Sequence, residues 1–239
     1  MDINYILLWL EAPLQSWGAD SKFGRRDTLP FPTKSGVLGL LLCALGASGE
    51  QKEILARMAA MKQTVISCVA KLDENIKQKR ETMTPLLRDF HMVGSGYDER
   101  DSWETFLIPK KSDGGKAVGG GTKMTFRYYL QNAKFAVILQ APEIDADAFA
   151  SALQNPVYDL YLGRKNCAPT EFIFQGVFKS MNEALVKADT IMNEKGLVED
   201  FRVLDGEHQG NVMTLNDVPI QFGVHKKYRD RRVTVVDHE

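Results

Sequence analysis

The sequence is short of the residues that build metal centres and catalytic dyads. It has three cysteines, Cys43, Cys68 and Cys167, and four histidines, His91, His208, His225 and His238. No CxxC or CxH spacing occurs, so zinc is disfavoured and a reduced, cytoplasmic setting is the simple reading. No metal or other cofactor is expected. No apolar run approaches the ~18 residues that a membrane-crossing helix needs. The longest, residues 37–45, is interrupted by Gly39. Residues 3–10 are apolar but too few, and they follow an acidic start, so a signal peptide is not expected. No Ser-His-Asp arrangement, HExxH pattern or P-loop is present. Gly94-Ser95-Gly96 and Gly119–Gly121 do not lead from a strand into a helix carrying Lys-Ser/Thr, so neither reads as a phosphate loop. Repeats and evident linkers are missing too. So is any excess of charge: 30 Lys and Arg face 31 Asp and Glu, a net charge of -1.

What is present is an ordinary globular composition, 44% hydrophobic and 26% charged. The 239 residues suit one domain, or one domain with a sizeable insertion. Charge is balanced in sum but segregated along the chain. Residues 22–34 hold four Lys/Arg and one acid, and residues 225–232 hold five and one. Acids gather at 143–147 and 194–205. Such segregation can build a basic groove on a neutral protein; two solvated loops are the plainer alternative.

Residues 5–10 are apolar on both faces, as in a central buried strand. Pro13 and Gly18 break that run into a loop. Thr33 or Ser35 can cap a helix whose apolar residues are Val37, Leu38, Leu41, Leu42 and Leu45. A second short helix follows at 51–62, then a strand at 64–71, a polar connection at 72–84 and a strand at 86–93. Residues 97–125 are polar and glycine-rich. Residues 124–130 and 133–139 read as strands joined by the hairpin signal Gln131-Asn132. The insertion between 94 and 126 then reads as a projecting ribbon. A helix capped by Asp145 is expected at 144–153, a strand at 172–178 and an amphipathic helix at 181–192. Residues 201–204, 212–215 and 232–236 suggest a small terminal set of strands. The order predicts an α+β chain, a ferredoxin-like (RRM-like) core with decorations, all within one domain. The decorations are a thumb at about 94–126 and a C-terminal β extension at about 196–239.

Several stretches together resemble a known family. Leu14-Gln15-Ser16-Trp17-Gly18, Arg26-Asp27-Thr28 and residues 31–40 are similar to the N-terminal signature of family five of the CRISPR-associated RAMP proteins. Residues 87–91, 125–130 with 133–135, 161–167 and 222–232 resemble its type I-E Cascade branch. The segment 110–123 is long for the family. The resemblance implies an RRM-like domain with a projecting thumb. It implies a non-catalytic subunit that holds the 5′ handle of the crRNA in antiviral defence. It also implies contacts with the backbone subunit CasC, the large subunit CasA and, within the assembled complex, target DNA. Precursor cleavage in that branch belongs to another subunit, CasE.

Single-stranded RNA is held by stacking on aromatic rings and guanidiniums, and by Lys/Arg contacts to phosphate. Gln15, Ser16 and Trp17 follow the first strand. Arg25, Arg26, Thr33, Lys34 and Ser35 precede the first helix, whose exposed amides can bind a phosphate, with Gly36 opening the backbone to it. Tyr161, Arg164 and Lys165 surround Gly163. The thumb offers Lys110, Lys111, Lys116, Lys123 and Arg127. Each has a plainer alternative: Trp17 and Tyr161 as core, Lys34 as a solvated lysine, Ser35 as a cap only, residues 225–232 as a solvated tail. The alternative function is a metal-independent endoribonuclease, as in type I-C relatives, with His91 as its base beside Tyr97 or Lys123. A protein-only scaffold is the third reading.

Overall fold

A computed structural model describes residues 2–18, 24–71, 86–93, 100–107, 110–115 and 123–237. The expected connection at 72–84, Lys22, Tyr97, Lys116 and the Gly119–Gly121 run lie outside these residues. The elements run β1 (Ile3–Glu11), β2 (Leu14–Gln15), β3 (Trp17–Gly18), β4 (Arg25–Arg26), β5 (Thr28–Leu29), α1 (Lys34–Ala44), α2 (Lys52–Ala59) and β6 (Gln63–Ala70). Then come β7 (Leu86–Val93), α3 (Ser102–Leu107), β8 (Lys123–Gln131), β9 (Lys134–Pro142) and α4 (Glu143–Gln154). The chain closes with β10 (Phe174–Phe178), α5 (Met181–Glu194), β11 (Leu197–Asp205), β12 (Asn211–Gln221) and β13 (Lys227–Asp237).

The central sheet has seven strands in the order β10-β1-β9-β6-β11-β13-β12, antiparallel at every pairing. It is a strand-rich, mixed α/β fold. Strand β1 is apolar on both faces because both are covered. Ile6, Leu8 and Leu10 pack with α1, α2 and α4 through Leu41, Met58 and Phe149. Leu7 and Trp9 pack on the other face under Ala184, Ala188 and Ile191 of α5. Burying each large apolar side chain stabilises the fold by roughly 1.5–3 kcal/mol before entropy is counted.

Caps follow local chemistry. The Thr33 hydroxyl accepts from the Gly36 amide and starts α1, so Thr33 rather than Ser35 is the cap. Ser180 does the same for α5, accepting from the Glu183 amide at 3.3 Å. Asp145 does not cap α4. Pro142 holds that position, and Asp145 lies in the first turn, paired through both oxygens with Arg57 at 2.7 and 2.8 Å.

Two further readings are corrected. Gln131-Asn132 is not a hairpin turn between β8 and β9. β9 pairs with β1 and β6, whereas β8 pairs with β7 along its length. Asn132, at φ 54, bends the chain out of the central sheet, and the segment beside it bends at Ala12-Pro13 from β1 into β2. The basic stretch 225–232 is largely solvent-exposed, as its plainer reading had it, but it is no loose tail: from Lys227 onward it is β13, and of its cations Arg231 turns inward.

Candidate nucleic-acid interface

The second sheet is built on β8. Strand β7 pairs with it from Leu86↔Leu130 to Val93↔Lys123. The other edge takes β2 at Leu130 and Gln131, and β4, in parallel, at Phe126 and Arg127. The gap between β2 and β4 leaves the Tyr128 carbonyl open. Ser16 Oγ donates to it at 3.2 Å and Arg164 Nη1 at 3.3 Å, while Arg164 Nη2 donates to Arg26 O at 3.0 Å. The Arg164 guanidinium also lies over the Tyr129 ring, 4.6 Å from its centroid. One side chain thus joins three segments distant in sequence.

The loop around Arg164 is set by Gly163, at φ +100, where an added Cβ would lie 1.7 Å from Ser16 O. Only glycine admits that approach. The Ser16 amide in turn donates to Leu162 O at 3.1 Å. The structure therefore brings Ser16, Arg25, Arg26, Arg127, Arg164 and Lys165 into one neighbourhood. Arg25, Arg26 and Lys165 are exposed; Arg127 and Arg164 are half-buried. Tyr161 is half-buried, its hydroxyl donating to Asp159 Oδ2 at 3.5 Å.

Other expected contacts lie inside the protein. Gln15 Nε2 donates to Leu10 O and Ala133 O at 3.1 and 2.7 Å, and Trp17 Nε1 donates to Gln15 Oε1 at 3.0 Å. Both side chains are buried. The space over Gly36 is filled by Trp17, whose Cε3 would be 2.8 Å from an added Cβ, so a phosphate has no room there. The start of α1 is likewise occupied. The Lys34 amide donates to Asp217 Oδ2 at 2.8 Å, so the protein supplies its own anion.

Lys34 is only 1% exposed. Its ammonium donates to Ala59 O at 3.2 Å and to Met61 O, with Asp205 Oδ2 at 3.9 Å. Burial pushes its pKa down to about 8, with Asp205 partly opposing. Arg231 holds both Asp217 oxygens, at 2.7 and 2.8 Å, and also contacts Asp205. Burial alone would lower the Arg231 pKa, but Asp217 and Asp205 raise it. Lys34 and Arg231 are therefore structural cations locking the C-terminal strands onto α1. Ser35 is half-buried, its hydroxyl 3.4 Å from that of Thr33. Of the thumb candidates, Lys110 and Lys111 are exposed, the backbone of Lys123 opens β8, and Lys116 lies outside the described residues.

His91 Nε2 pairs with Asp89 Oδ2 of its own strand. Among the described residues no three His, Cys, Asp or Glu side chains come together to hold a metal, and no helix is long and apolar enough to cross a membrane. Sequence reasoning missed Arg88, Phe90, Phe126 and Tyr128, which share one face of the β7–β8 ribbon. The alternate spacing of Arg88 and Phe90, and of Phe126 and Tyr128, carried the signal.

The chain as a whole is similar to known proteins. The family model described as CRISPR-associated protein (Cas_Cas5) matches residues 5–234. The CRISPR system Cascade subunit CasD of Escherichia coli (strain K12) is 33% identical over 180 residues, covering 72% of this chain and 70% of that protein. A solved structure described as a CRISPR RNA-guided surveillance complex superposes at TM-score 0.69 with 28% identity, over 98% of this chain and 90% of its counterpart. A Cas protein crystal structure superposes at TM-score 0.55 with 25% identity, over 98% and 95% of the two chains. The chain is thus a member of the Cas5 family of CRISPR-associated proteins.

Proposed function

We propose that this chain is the crRNA-binding subunit of a type I-E Cascade surveillance complex. It holds the 5′ handle of the crRNA and does not cut it. In that complex it contacts the backbone subunit CasC and the large subunit CasA, and target DNA through the assembly. The observation that carries this reading is the convergence on β8 of two sequence-distant basic segments, Arg25-Arg26 and Arg164-Lys165, joined by the Arg164 fork. Arg25, Arg26, Arg127 and Lys165 meet the handle's phosphates, with Tyr161 beside them and Lys110, Lys111, Lys116 and Lys123 extending the contact along the thumb. The buried Gln15, Ser16, Trp17, Thr33 and Lys34, with the half-buried Ser35 and Gly36, act by fixing the loops that present these cations.

The path β1-α1-β6-β9-α4-β10, with sheet order β10-β1-β9-β6, supports an RRM-like core. In an isolated RRM the open sheet face stacks the bases. Here α5 covers that face, which directs RNA to the second sheet and the loops. Three free thiols support a reduced, cytoplasmic setting.

The test is binding of a labelled repeat-containing RNA, without metal, across a salt series. Handle binding that weakens with salt, with no cleavage, is expected, because each neutralised phosphate on a single strand contributes a slope of about -0.7 in log K against log salt. Arg26→Ala with Lys165→Ala lowers that slope. Site-specific cutting that disappears in His91→Ala would overturn the reading in favour of a nuclease.

A further inference from the structure

The β7–β8 ribbon presents two unlike faces. On one, the pairs Arg88↔Tyr128, Phe90↔Phe126 and Met92↔Met124 lie in register, and Arg25 of β4 sits beside Phe126. Rings and guanidiniums alternate across it. Arg25 lies 4.9 Å from the Tyr128 centroid, Arg88 lies 5.7 Å from that of Phe126, and Phe90 and Phe126 are 5.2 Å apart at 38°. These distances are within the range of cation–π and offset ring contacts. Phe90 is 48% and Phe126 40% exposed, and Met92 and Met124 are more so. Monomeric proteins seldom leave such a patch open without a use. The one carboxylate of β7 and β8, Asp89, is on the opposite face, in register with Arg127. Asp27, at the end of β4, is engaged by Arg25 Nε at 2.8 Å.

We infer that this face is a stacking platform for the bases of single-stranded RNA. The inference rests on the reading of the chain as an RNA-holding subunit and adds a second contact surface to it. A purely apolar face would suit a protein partner. A face of alternating rings and guanidiniums, with no free carboxylate among its described residues, suits a polyanion with flat bases. It is also continuous with the basic segment: Arg25 and Arg26 are adjacent on β4, Arg25 in register with Phe126 on the ring face and Arg26 with Arg127 on the other. A strand passing the β4 edge can place bases on the rings and phosphates at the cations.

The experiment compares the full-length protein with Phe90→Ala/Phe126→Ala and Phe90→Leu/Phe126→Leu. Each is titrated with a short adenosine oligonucleotide and with an abasic ribose-phosphate chain of equal length. Wild type is expected to prefer the base-bearing strand. Either double variant is expected to lose about tenfold or more in affinity for it, while affinity for the abasic chain is unchanged. Phe126→Trp supplies a fluorescent ring, quenched on binding the adenosine strand and not the abasic one. Retention of the base preference by the alanine variant overturns the proposal. So does wild-type behaviour of the leucine variant, which points to an apolar protein partner. Failure of wild type to bind either strand overturns the RNA-holding reading itself, a separable result.

Discussion

At Gly163 and Lys34 a single residue decides how part of the fold is held: the Arg164 loop at one, the C-terminal strands on α1 at the other. An alanine at 163 would bring its Cβ to 1.7 Å from Ser16 O in a backbone region that disfavours L side chains. Gly163→Ala is expected to lower the melting temperature by several degrees and to weaken handle binding, because the loop that carries Arg164 must shift. Lys34 makes stability depend on pH. Its folded pKa of about 8 lies below the ordinary 10.5, so between these values the unfolded chain binds the extra proton and stability rises with pH. Below pH 8 both states are protonated and the full cost of burial stands. The thiols act oppositely: burial raises Cys68 to about 12 and also raises Cys43 and Cys167, so stability falls as pH climbs past their ordinary 9.0. Stability from urea unfolding is expected to rise from pH 8 to 9, by up to about 1 kcal/mol, and to fall above that as the three thiols outweigh Lys34. Lys34→Met is expected to abolish the rise. Lys34 reads in sequence as a phosphate ligand because its partners, Ala59, Met61 and Asp205, are brought to it only by the fold.

Local elements were the most legible. The cap at Thr33, the buried β1 and the apolar face of α5 all follow from patterns within a few residues, whereas the cap at Ser180 was not read. Thr33→Ala is expected to cost about 1 kcal/mol, read as a shift in denaturant midpoint. The β8–β9 junction was misread because an asparagine turn signal has the same form at a bend as at a hairpin. Pairing with β7 and β1, remote in sequence, settles which it is. Arg164 was readable as a functional cation but not as a clamp, since both its acceptors are carbonyls, silent in sequence. Arg164→Ala is expected to speed amide exchange at Phe126, which donates to Gly24 O at 2.7 Å, and to leave α1 and α5 unchanged. Equal exchange in variant and wild type would remove the clamp.

For the molecule as a whole, family resemblance spread over the entire chain was readable, and the sheet order was not. The basic stretch at 225–232 illustrates the limit: composition marks it as a surface, but Arg231 is committed to Asp217 and Asp205. Breaking a buried ion pair by removing one partner costs about 3–5 kcal/mol. Arg231→Ala is expected to lose stability on that scale in chemical denaturation, whereas Arg229→Ala, at an exposed position, is expected to change it little.

The seven-stranded order also bears on how the chain is made. Strand β6 has β9 on one side and β11 on the other, with Val65 opposite Val203. During synthesis from the N-terminus, β6 and β9 leave the ribosome well before β11. For that interval the outer edge of β6 is an unpaired row of backbone donors and acceptors beside apolar side chains, the kind of template that recruits other strands. Completion by β11, β13 and β12 closes that edge and, through Asp217, seals the start of α1. The nascent chain therefore passes through a stage at which a holding chaperone, or slow translation past β9, decides between a closed sheet and an aggregate.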